Sequence, residues 1–126
     1  MRIQLIATLL LATTGAFAAD LTFDQVQALA NKDAASLNGD QTYALAQSQS
    51  KVASVALAKC PQPVRAAEYD GFVIVTELDA SGKATRSWVQ GSTPAAACFN
   101  GIMAHATYFK PPHAPFYAAY QMNWQR

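Results

Sequence analysis

Residues 71–90 read GFVIVTELDASGKATRSWVQ, and this stretch decides the fold. Two alternating apolar runs, Gly71–Leu78 and Lys83–Gln90, flank Asp79-Ala80-Ser81-Gly82. Side chains alternate across a pleated strand, so Phe72, Ile74, Thr76 and Leu78 share one face and Val73, Val75 and Glu77 the other. Apolar residues on both faces predict cover on both sides. The second run is more polar, with Trp88 and Val89 on opposite faces. The link between them closes on Gly82, which can take a positive φ, and so reads as a hairpin turn.

Toward the C-terminus, Ser92-Thr93-Pro94 combines hydroxyl caps with proline in the first helical position, where its missing N–H is harmless. A helix is predicted from about Pro94 to Ala106, with Cys98, Phe99, Ile102, Met103 and Ala106 as the stripe facing the sheet. Lys110-Pro111-Pro112 ends that element. Pro115–Trp124 then alternates clearly, with Phe116, Ala118, Tyr120, Met122 and Trp124 on one face and Tyr117, Ala119, Gln121 and Asn123 on the other.

Toward the N-terminus, Leu21–Leu37 repeats Leu21, Val26, Leu29 and Ala30 near helical spacing and assigns Asp24, Gln25, Lys32 and Asp33 to the solvent side. Thr22 is the expected N-cap, and Asp24 falls in the first turn, where the helix dipole favours a negative charge. Asn38-Gly39-Asp40 is read as the stop. Thr42–Lys59 is rich in Ala, Gln and Ser and reads as a second helix, whose small residues imply close packing. Cys60-Pro61-Gln62-Pro63 ends it. The fold class is therefore α+β. A helical hairpin over residues 20–61 precedes a β-β-α-β module over 62–126 with a small antiparallel sheet, and 20–126 form one compact domain.

Residues 1–19 are set apart. Arg2, the short apolar run Ile3–Thr14 and the small residues of Ala16-Phe17-Ala18 have the layout of a secretory signal peptide, cleaved near Ala18/Ala19. The run is much shorter than the roughly 20 apolar residues that span a bilayer, so the mature chain is expected to carry no membrane span. A periplasmic or secreted location follows. Setting Arg2 aside leaves eight basic against eight acidic residues, a balance that speaks against a nucleic-acid footprint. In an oxidising compartment Cys60 and Cys98 form an even pair, and a disulfide is expected between them. A loop of that length contributes about 4 kcal/mol by the chain-entropy relation.

An aliphatic strand, a turn closing on Gly82, a second strand, an Ala-rich helix, the phrase Phe109-Lys110-Pro111-Pro112 and an aromatic last strand together resemble the TonB C-terminal domain over residues 62–124. Where that family often carries a Trp-Arg-Phe-Lys-Pro-like phrase, this chain reads Thr107-Tyr108-Phe109-Lys110-Pro111, without the tryptophan. The resemblance implies a noncatalytic periplasmic interaction domain. It also implies a binding mode, in which an exposed edge strand adds an extended peptide through main-chain hydrogen bonds. Tyr117, Ala119, Gln121 and Asn123 are the candidate recognition residues on the last strand. The anchor and Pro-rich spacer of an energy transducer are not seen in this sequence.

Catalytic readings are weaker. Cys98 and His105 are seven residues apart, about 10 Å of helical rise, too far for a thiol–imidazole pair. His105 and His113 lack metal-ligand spacing, so neither a metal nor another cofactor is expected. Ser92 lacks a nucleophile-elbow context. Glu68, Asp70, Glu77 and Asp79 gather near the first strand, but surface and turn roles are commoner for such carboxylates. The sequence thus points away from an enzyme and toward a binding protein whose partner is another periplasmic protein. That partner is an envelope component, if the chain is an adaptor, or a secreted toxin, if it is an inhibitor or immunity protein. A small hydrolase ranks below both, and homo-oligomerisation stays open.

Overall fold

A computed structural model describes residues 20–125. The elements run α1 (Phe23–Ala35), α2 (Gly39–Lys59), a 3-10 turn (Ala66–Tyr69), β1 (Phe72–Leu78), β2 (Ala84–Gln90), α3 (Pro94–Met103) and β3 (Phe116–Met122). The fold class is α+β as expected, with N-terminal helices preceding a β-β-α-β module. The presumed leader, residues 1–19, lies outside the described residues.

The three strands form one antiparallel sheet in the order β2-β1-β3, so β1 is central. Asp79 shapes the hairpin: its Oδ1 accepts from Ser81 N at 2.9 Å and Lys83 N at 3.0 Å, and Gly82 takes φ 88°. Pairing with β1 shifts register between Glu77 and Leu78, a bulge beside the turn.

The alternation along β1 divides the core. On one face Phe72 and Ile74 pack with Phe99 and Met103 of α3 and Ala53 and Ala56 of α2, while Leu78, Phe116 and Ala118 meet Leu45 of α2. On the other face Val75 and Tyr117 meet Val26 and Ala30 of α1. The two N-terminal helices therefore do not share a core with each other. They straddle β3, one on each side of the sheet, and the link at residues 36–38 passes from one layer to the other. Burial of the apolar side chains on both faces is the main stabilising contribution, at about 25 cal/mol per Å² removed from water.

Local chemistry explains the boundaries. Thr22 caps α1 in a capping box with Gln25. Asn38, expected to be part of a stop, instead starts α2 through a second capping box with Gln41, so the helix begins three residues earlier than expected. Thr93 caps α3, whose Pro94 is its first residue. α3 ends at Met103 rather than near Ala106 because the chain turns there, and Ala84 N then donates to Ala106 O at 3.0 Å. Cys60 and Cys98 are bonded, with Cα atoms 5.6 Å apart, and this ties the end of α2 to α3.

Candidate functional site

The free edges of the sheet and the open end between them hold the residues expected to recognise a partner. All of β3 is in register with β1, but the main-chain groups of Tyr117 and Ala119 are bonded from outside the sheet, so by the alternation of an antiparallel ladder the odd-numbered residues, Gln121 among them, turn those groups away from β1. Two side chains meet this outer edge. Asp33 of α1 accepts from Tyr117 N at 2.9 Å through Oδ2, and Gln49 of α2 donates from Nε2 to Ala119 O at 2.9 Å. The helices that straddle β3 thus also cap it.

Asp33 is the clearest departure from the sequence reading, which put it on the solvent side of α1. It is 9% exposed and continues the buried stripe of Val26 and Ala30. Its other oxygen lies 3.0 Å from His113 Nε2. An acid is stable there because it is hydrogen-bonded on both oxygens. The signal was present in the spacing, since positions 26, 30 and 33 share one helical face.

The candidate set on β3 is accordingly narrowed. Tyr117 is buried under α1, with its ring centroid 6.2 Å from Trp88 and its hydroxyl donating to Glu77 Oε2 at 2.8 Å. Ala119 is half-buried and packs against the same cluster. Gln121 and Asn123 are exposed, and no group among the described residues bonds Gln121 N or O. They open onto a cleft of about 420 Å³ at the end of the sheet, together with Asp70, Gln90, Ser92 and Thr93. Gly91 at its rim takes φ 144°, and a Cβ there would meet Phe72 Cβ at 2.6 Å, so the β2–α3 corner must be glycine.

The cleft's chemistry is restricted. Gln90, Gln121 and Asn123 present carboxamides, which donate and accept, and Asp70 is the only charged lining residue among the described residues. Carboxamides at these three positions are suited to hydrogen-bonding neutral peptide groups, whose N–H and C=O they match. Gln90 was not singled out from sequence, because a polar residue ending a strand carries no distinguishing signal.

The carboxylates near β1 do not form a pair. Glu77 receives Arg86 Nη2 at 2.7 Å, Thr85 Oγ1 at 2.8 Å and the Tyr117 hydroxyl. Burial is the largest single influence on Glu77 and would raise its pKa, but the bonds from Arg86, Thr85 and Tyr117 together hold it below the ordinary value. Burial, then the hydrogen bond to Glu77 and the charge of that carboxylate, push the Tyr117 hydroxyl up. Asp79 serves the turn, and Glu68 accepts from Val64 N at 2.9 Å. Cys98 is held in the disulfide, and among the described residues there is no free cysteine and no cluster of metal-ligating side chains. No described helix is long and apolar enough to cross a membrane.

Comparison with protein-family models, curated proteins and solved structures finds no match.

Proposed function

We propose that this protein is a noncatalytic, exported protein-binding module of TonB C-terminal-like type, acting in the periplasm. It captures an extended segment of another protein at the open end of its sheet. The observation that carries this reading is the uncovered second half of β3: Gln121 keeps its outward main-chain groups available, and Gln121 and Asn123 lead into a cleft lined by neutral amides. A segment lying there gains main-chain hydrogen bonds along the edge and side-chain contacts in the cleft. Capping by Asp33 and Gln49 confines the contact to the last turns of the strand.

The test is crosslinking capture of the tagged protein from its native periplasm, run beside Gln121→Pro. Proline at this outward position removes the edge donor without breaking a ladder bond, so the fold survives and recovery of the partner falls. Equal recovery by the variant would sink edge addition. An outer-membrane receptor or transport component among the captured proteins supports the adaptor role. A single secreted effector at near-equal stoichiometry makes the protein an inhibitor or immunity protein.

A further inference from the structure

The opposite edge of the sheet is built differently, and from it we infer that β2 is a self-association surface at which two copies of this chain join their sheets about a two-fold axis. The register with β1 turns the main-chain groups of Arg86, Trp88 and Gln90 inward and those of Ser87 and Val89 outward. At the start of β2 the outer edge is occupied: Ala84 N donates to Ala106 O at 3.0 Å, and Tyr108 N to Gly82 O at 2.8 Å. Beyond the bulge no hydrogen bond from the described residues reaches the main-chain groups of Ser87 or Val89; Asp20 and Leu21 lie beside this stretch, where Leu21 O accepts from Trp88 Nε1 at 3.0 Å, a bond to the indole and not to the edge. The devices that blunt an edge are missing there too. The run Ser87–Gln90 holds no proline and no charge, and the Arg86 side chain is folded back on Glu77 and over the Trp88 ring, 5.0 Å from its centroid.

The second copy is the occupant this strand fits. An antiparallel pairing centred on Trp88 sets Ser87 opposite Val89 of the other copy, and each pair exchanges both main-chain bonds. Arg86 then faces a neutral Gln90, so no like charges meet across the axis. The two Trp88 residues form the non-hydrogen-bonded pair at the centre, where opposed side chains come closest. Tryptophan is among the residues most often found at the energetic centre of an interface. The chain's formal net charge of +1 leaves little long-range repulsion between copies. The interface is isologous and closes on itself, giving one continuous sheet of both copies and leaving the β3 end of each open. It does not depend on what the β3 cleft binds.

Sedimentation equilibrium of the purified protein, combined with amide exchange read by NMR at low and millimolar concentration, tests this. The expected result is a reversible dimer in which the Ser87 and Val89 amides gain protection as concentration rises. Ser87→Pro should weaken association by about tenfold or more, while Gln121→Pro leaves it unchanged. A protein that stays monomeric at millimolar concentration overturns the inference. So does a dimer whose Ser87 and Val89 amides exchange equally fast at both concentrations, a readout on the unmodified chain that holds even if Ser87→Pro fails to fold.

Discussion

The two edges of this sheet solve the same problem in different ways. β3 is flanked by α1 and α2, and each helix sends one polar side chain across to a main-chain group of the strand. Among the described residues the outer main-chain edge of β2 is hydrogen-bonded only near its turn, by residues 106 and 108, while Leu21 reaches the Trp88 indole and not the edge. The difference shows that a short strand is protected by what packs beside it rather than by its own residues, since β2 is the more polar of the two and is the less covered. Polar side chains on a strand face do nothing for the donors and acceptors along its edge.

The largest expected effect comes from the disulfide, which ties the end of α2, the helix that carries Gln49, to α3. Replacing both Cys60 and Cys98 with alanine should lower stability by about 4 kcal/mol in chemical denaturation, the loop-closure entropy for this spacing. If the disulfide positions the cap, the amides of β3 should also exchange faster in that variant. Equal exchange in β3 would separate stability from capping.

Next is Asp33→Ala, which leaves Tyr117 N buried without an acceptor and should cost about 1–3 kcal/mol. Asp33→Asn keeps an acceptor and should cost less. The Tyr117 amide reports directly: it should be among the slowest to exchange in the native protein and should lose that protection in the alanine variant. Gln49→Ala removes a bond from a half-buried carboxamide and should cost about 0.5–1.5 kcal/mol. If the two caps act on one edge, the double variant should expose it, and association through β3 would then appear beside that through β2.

The smallest effect concerns Glu77, on the central strand between the two edges. Its folded pKa lies below the ordinary value of 4.5, so its contribution is present above that pH and is lost as pH falls through the folded value. Glu77→Gln should therefore reduce the thermal midpoint at neutral pH, and the gap from the unmodified protein should close in acid. A gap that persists at low pH would mean that packing against Tyr117, rather than charge, is what the carboxylate supplies.

Much of this arrangement can be read in the chain. The hairpin at 79–82, the alternation of β3, the caps Thr22 and Thr93 and the cystine all come from local rules of turn chemistry, periodicity and cysteine pairing. The cover on both faces of β1 follows from its apolar residues on each side, whereas its central place in the strand order had no signal in the sequence. What periodicity could not provide is the path of the two helices: α1 and α2 each carry one apolar stripe, and nothing local says whether the stripes face each other or opposite sides of a sheet. The roles of Asp33 and Gln49 depend on that path. So does the withdrawal of Tyr117, whose position on the same strand face as Gln121 gave it equal standing until a helix was laid over one half of that face.

The Cys60–Cys98 bond has a further consequence, for a chain under tension. It spans a sequence separation of 38, and the segment it encloses contains the whole β1–β2 hairpin. A pull between the two ends of the protein is carried through the sulfur atoms, so it reaches the hairpin only across the β1–β3 ladder, and once β3 has been stripped from β1 the hairpin bears no load. Roughly 130 Å of contour length, at about 3.4 Å per residue, stays hidden until the disulfide is reduced. In a protein that holds a partner at β3, the strand that carries the load is the one that peels, and the β2 edge rides behind the crosslink.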